Sequence, residues 1–248
     1  MEECISVFDM LKIGVGPSSS HTLGPWRAAE RFLEELRQDF DLNSITRVKV
    51  DLYGSLSLTG KGHATDLAVM LGLSGQDPEY IPVQDIDGII KAIENNHLIQ
   101  LGNEKALPFY ILQDIVFHKE FLPFHANGLT FTAFFENETE YASTFYSIGG
   151  GFVVKEERSN AKKKIAIKCA FPFPINNAAE LLDYTQKENK SISEIVYANE
   201  ISMRPEAEVH SELLRIWHTM LECMYIGCHS EGILPGGLNV RKRAFDMH

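Results

Sequence analysis

Cysteine is scarce, with four residues (Cys4, Cys169, Cys223, Cys228) in a chain of 248. They form no C-x-x-C pair, which argues against a disulfide framework and against structural zinc. Cys223 and Cys228 are five positions apart on a helical pattern, about 140° round it, so they share no face. Positive charge is also short. Lys and Arg total 23 against 34 Asp and Glu, a net −11 that would repel a phosphate backbone. The basic runs at 162–164 and 241–243 are brief and read as solvated faces, so no nucleic-acid partner is expected. No apolar run approaches the ~18 residues of a membrane span, and no membrane partner is expected. The opening MEECISVFDM lacks the basic start and apolar core of a signal peptide, so a cytoplasmic location is expected. Three motifs are missing as well. There is no G-x-x-x-x-G-K-[ST], no G-x-G-x-x-G and no G-x-S-x-G, which leaves little basis for a nucleotide phosphate loop, a dinucleotide fold or a serine-hydrolase elbow.

What is present suffices for a large core, since 44% of residues are hydrophobic. Trp26, Ala29, Phe32, Leu33 and Leu36 recur at helical spacing, and with Pro25 in the first turn they predict a helix over 24–38. Alternation predicts a strand over 45–53. A second helix is expected over 63–73, stopping at Ser74-Gly75, and a third over 85–95. Segments 97–101, 110–117, 128–135 and 140–146, rich in Phe, Ile, Thr and Tyr, read as strands. SIGGGFVV and IAIKCAF extend the β-rich part to the Pro172/Pro174 break. Helices follow over 177–188, 191–203 and 205–228, with Ser191 and Glu194 as a capping box. The pattern divides into an α+β domain over 1–172 and a helical segment over 173–248 that stops as a further element begins.

Three segments carry chemistry. The first, Gly16-Pro17-Ser18-Ser19-Ser20-His21-Thr22, directly precedes a helix. Capping needs one of its hydroxyls; a small-anion site would use several together with the free N–H groups of the helix start. The second, Gly60-Lys61-Gly62-His63-Ala64-Thr65-Asp66, offers a backbone nest with a lysine and a histidine at a helix mouth. There the helix dipole favours a neutral, base-competent His63. The third, Pro123-Phe124-His125-Ala126-Asn127-Gly128, reads as a tight turn entering a strand. His97, His118, His210, His218, His229 and His248 are read as structural.

ISVFDMLKIGVGPSSSHTLGPWRAAERF, YGSLSLTGKGHATDLAVMLGLSG, FHANGLTF, YSIGGGFV and GCHSEGILPGGLNVRKRA, in this order, resemble the bacterial iron–sulfur L-serine dehydratases of single-chain form. The resemblance covers essentially the whole chain. It implies an α+β architecture, with an N-terminal domain like an allosteric substrate-binding domain, followed by the first helices of an all-α catalytic domain. The implied reaction is β-elimination of water from L-serine, giving pyruvate and ammonia. The implied cofactor is a [4Fe–4S] cluster held by cysteines downstream, with no metal ligand in this chain. His63 is the first choice for the α-proton base, with His125 beside it. Ser18, Ser19, Ser20, His21 and Thr22 would hold the substrate, Gly60 and Lys61 would shape the loop, and Asn127, Gly236 and Gly237 would line the pocket. The implied partners are L-serine, the remainder of the catalytic domain and a second copy in a homodimer. Without that remainder the chain is expected to be inactive, as a truncated piece or a split subunit. A second reading is a regulatory module that binds serine or another anion without catalysis.

Overall fold

The computed structural model describes residues 5–156, 171–234 and 239–248, and the side chain of Lys61 is not among what it describes. The chain forms two compact units. One is built on a mixed five-stranded sheet, the other on helices, and each is taken separately.

In the sheet unit, helix α2 (Gly24–Asp39) follows a π-helical turn, Ser19–Leu23. Its expected apolar stripe is buried, Trp26, Phe32 and Leu36 completely. Each such side chain contributes about 1.5–3 kcal/mol by leaving water. Strand β1 (Ile45–Leu52) comes next, with Ile45, Val48, Val50 and Leu52 buried. Then come α3 (Gly54–Leu58), a 3-10 turn (Gly60–His63), α4 (Thr65–Leu73) and α5 (Val83–Asn96). A hairpin, β2 (Leu98–Leu101) with β3 (Lys105–Pro108), stands apart from the main sheet. A helical turn α6 (Ile111–Asp114) leads into β4 (Ile115–Phe117). Strands β5 (Gly128–Phe135), β6 (Glu140–Gly149) and β7 (Phe152–Lys155) complete the main sheet.

The sheet order is β4-β1-β5-β6-β7, with β1 parallel to β4 and every other pairing antiparallel. Val50 on β1 stands opposite Phe131 on β5. Phe131 stacks on Phe32 of α2 at 5.2 Å, which seats the helix on this face. The polar ends of β1 point the other way, where Lys49 and His118 both reach the Asp51 carboxylate, at 2.7 and 2.6 Å.

Three sequence expectations change. Residues 110–117 are a helical turn and a short strand, not one strand. The buried Asp114 carboxylate accepts the Tyr110 N–H at 2.6 Å and both Nε and Nη2 of Arg47 at 2.6 Å. That bond from four residues back closes the turn. Segment 54–63, expected as an irregular glycine-rich turn, winds into α3 and the 3-10 turn, so the following helix begins at Thr65 rather than His63. Asn127-Gly128 makes no hairpin turn, because Gly128 already pairs with Tyr146 as the first residue of β5. Most of IAIKCAF lies outside the described residues.

In the helical unit, α7 (Ala178–Glu188), α8 (Ile192–Met203) and α9 (Glu206–Cys228) follow the expected segments. Asn177 caps α7, and Ser191 with Glu194 forms the capping box of α8. The short α1 (Val7–Met10) belongs to this unit and is held by the buried Glu200 of α8. Glu200 accepts the Ser6 hydroxyl and the Val7 N–H, each at 2.7 Å. A last turn, α10 (Ala244–Met247), completes the unit. Among the described residues no helix is long and apolar enough to cross a membrane.

Candidate active site

The first two glycine-rich segments meet through two threonines. Thr22 Oγ1 donates to the His63 carbonyl at 2.8 Å, and Thr65 Oγ1 donates to the His21 carbonyl at 2.6 Å. Both threonines are buried. Thr22 Oγ1 also accepts the Ser18 N–H, so its hydroxyl is committed to the loops and acts by positioning them. The clasp brings the His21 and His63 rings to 4.9 Å between centroids.

The first loop begins as a π turn. Thr22 N–H and Leu23 N–H both donate to the Ser18 carbonyl, and Gly24 N–H donates to that of Ser19. Such turns recur at functional sites because the widened spiral redirects side chains. Ser18 caps the turn, its hydroxyl accepting the His21 N–H at 3.1 Å. The N–H groups of Ser19 and Ser20 take no part in the turn's own ladder, as at any helix start. Ser19 is exposed, and Ser20 Oγ sits 2.9 Å from His21 Nδ1. Gly24 is needed behind the loop, since a Cβ there would lie 2.0 Å from Ser147 Oγ. Ser147 in turn donates to the Ser20 carbonyl at 2.7 Å.

The histidine tautomers follow from the partners. A carbonyl only accepts, so His63 Nδ1, 2.9 Å from the Thr59 carbonyl, carries the proton. In neutral His63 the lone pair is therefore on Nε2, which has no hydrogen-bond partner among the described residues. His125 is the reverse. Its Nδ1 accepts the Asn127 N–H at 3.1 Å, which leaves the proton of the neutral ring on Nε2. His21 lies between two hydroxyls, with Ser20 on Nδ1 and Ser55 on Nε2, both at 2.9 Å. Burial lowers the pKa of His21 and the neighbouring His63 lowers it further, while the Ser55 backbone acts more weakly the other way.

The third segment is tied to the other two. Asn127 Nδ2 donates to the Ser147 carbonyl at 3.1 Å, and the Ser55 N–H donates to the Ala126 carbonyl at 2.9 Å. Gly60 is buried in its turn and Lys61 follows it there. Gly236 and Gly237 lie outside the described residues. Ser55, Ser147 and Thr59 are the parts that local sequence did not single out, and no role for Thr65 is legible within its segment. Their partners lie up to 127 residues away, and no motif spacing encodes that.

The described residues do not provide a cluster site. None of their His, Cys, Asp and Glu side chains form a group of three or more able to hold a metal ion. Cys223 is exposed on α9 and Cys228 is half-buried at its end. Cys4 and Cys169 lie outside the described residues.

A mixed five-stranded sheet with α2 seated on one face, and two half-buried imidazoles beside serine hydroxyls at a helix start, define an α+β domain. Comparison with known proteins makes the assignment specific. Residues 6–158 match the family model described as serine dehydratase beta chain, and the chain belongs to that family. It is 40% identical over 246 residues to an L-serine dehydratase of Haemophilus influenzae, covering 98% of this chain and 54% of that protein. It is 41% identical to L-serine dehydratase 1 of Escherichia coli, with 97% and 53% covered. Against an L-serine dehydratase of Streptomyces coelicolor it is 43% identical, again with 97% and 53% covered. The chain thus spans about half the length of the curated relatives it matches.

Proposed function

We propose that this chain is the substrate-handling part of an L-serine dehydratase, cytoplasmic, in which His63 removes the α-proton. The observation that carries the reading is the His63 Nδ1–H···O=C Thr59 bond, which in the neutral ring puts the lone pair on Nε2 at a clasped loop junction. In the elimination, the Cα–H electron pair becomes the Cα=Cβ bond as the Cβ–O bond breaks. The proton stays on His63 Nε2 and the oxygen departs as hydroxide. The aminoacrylate then tautomerises and hydrolyses to pyruvate and ammonia.

Ser18, Ser19 and Ser20 and the first N–H groups of the π turn hold the substrate carboxylate, where the start of α2 favours negative charge. Thr22 keeps that turn in register with His63. His125 presents Nε2–H as a donor, and Asn127 fixes its loop against β6. Gly60 and Lys61 shape the turn beneath His63. Hydroxide is a poor leaving group, and a [4Fe–4S] cluster held by the remainder of the enzyme would supply a Lewis acid for its departure. Its ligands come from the remainder of the enzyme, and no residue described above is assigned to it. That remainder and a second copy of the chain are the partners.

The test is L-serine turnover by the assembled enzyme carrying His63→Ala, with the cluster's visible absorbance as the control for assembly. A loss of about 10²-fold or more is expected for a general base. Near-normal turnover with the cluster intact would remove His63 from the role.

A further inference from the structure

Ser55 is the junction of all three site segments. Its hydroxyl meets His21 Nε2 at 2.9 Å, and its N–H donates to the Ala126 carbonyl at 2.9 Å. Its carbonyl accepts Thr59 Oγ1 at 2.9 Å and the Thr59 N–H at 3.1 Å. Thr59 is the residue whose own carbonyl holds His63. The chain reaches this junction through Gly54, at φ +55°, where a Cβ would stand 2.3 Å from the Ala126 carbonyl oxygen.

The proton of the Ser55 hydroxyl has one acceptor among the described residues, His21 Nε2. Ser20 is under no such constraint, because its oxygen also faces Ser18 Oγ at 3.5 Å. Donation from Ser55 puts a lone pair on Nε2 and so places the ring proton on Nδ1, where it points at Ser20 Oγ. Ser20 then accepts from His21 and keeps its own proton free for an anion.

We propose that Ser55 is a positioning residue: its O–H donates to His21 Nε2, fixes His21 as the Nδ1–H tautomer, and turns Ser20 outward as a donor to the substrate carboxylate. The assignment rests on the substrate-binding reading above. Without the Ser55 hydroxyl Nε2 loses its donor, and the ring proton moves to Nε2 while Ser20 donates to Nδ1.

The tautomer is read directly by long-range ¹H–¹⁵N correlation on the ¹⁵N-histidine-labelled 248-residue chain. Wild type should give the Nδ1–H pattern for His21, Ser55→Ala the Nε2–H pattern, and Ser55→Thr the wild-type pattern by retaining the hydroxyl. In the assembled enzyme, Ser55→Ala should raise KM for L-serine about tenfold, the weight of one charge-assisted bond, while kcat falls less. An Nε2–H signal in wild type, or an unchanged tautomer in a Ser55→Ala chain that keeps its native amide spectrum, overturns the proposal. So does a fall in kcat alone. Should Ser55→Ala fail to fold, the wild-type and Ser55→Thr spectra decide it. The tautomer does not depend on turnover, so failure of the His63 reading would appear separately in the His63→Ala enzyme.

Discussion

Thr22 and Thr65 each hold the carbonyl of the other loop's histidine, Thr22 that of His63 at 2.8 Å and Thr65 that of His21 at 2.6 Å. The rings are brought together by backbone anchoring, and the imidazole nitrogens stay free for other partners. An arrangement of this kind fixes the distance between two bases without using either base to do it.

Replacing one threonine with valine keeps the volume and strands a carbonyl. Thr22→Val and Thr65→Val should each cost about 1–3 kcal/mol, the penalty for an unpaired buried polar group. The two losses should couple, since both act on one junction. Urea unfolding of the single and double variants measures this, and strictly additive losses would count against the clasp.

The depressed pKa of His21 has a pH consequence of definite sign. Folding holds the ring neutral where the unfolded chain would protonate it, so the unfolded state binds more protons between the folded value and about 6.5. The contribution is fully present above that window and is lost as pH falls through it. An NMR titration should place the His21 midpoint below the ordinary histidine value. His63→Gln should raise it by removing the neighbouring charge. A midpoint indifferent to His63 would contradict the pairing.

The other two histidines should show opposite tautomers. His63 is expected as Nδ1–H and His125 as Nε2–H, because one ring nitrogen faces a carbonyl and the other an N–H. The same ¹H–¹⁵N correlation distinguishes them. Asn127→Pro deletes the donor to His125 and should release its tautomer.

Gly54→Ala should destabilise the sheet unit by at least about 1–3 kcal/mol, since the new Cβ meets the Ala126 oxygen at a left-handed φ. A melting temperature equal to wild type would mean that the loop relaxes freely.

Elements stabilised by their own periodicity were legible in the sequence. The stripe from Trp26 to Leu36 gave α2, the Phe- and Thr-rich run gave β5 to the residue, and Ser191 with Glu194 marked the start of α8. Elements held by distant partners were not. The buried Asp114 that closes the α6 turn is paired by Arg47 from 67 residues away; β3 was hidden for a local reason, Pro108 at a hairpin end, where a proline is tolerated. The site divides in the same way. The serine-rich turn and His63 in its glycine-rich segment stood out by composition, while Ser55 and Ser147 did not. A lone serine reveals nothing of a contact 34 residues back.

Chemical rescue of the His63 base is the most direct measurement. In the assembled enzyme, His63→Gly should lose L-serine turnover, and added imidazole should restore part of it in proportion to the free-base fraction as pH is varied. A His63→Gly enzyme that turns over L-serine at the wild-type rate with no imidazole present would contradict the account.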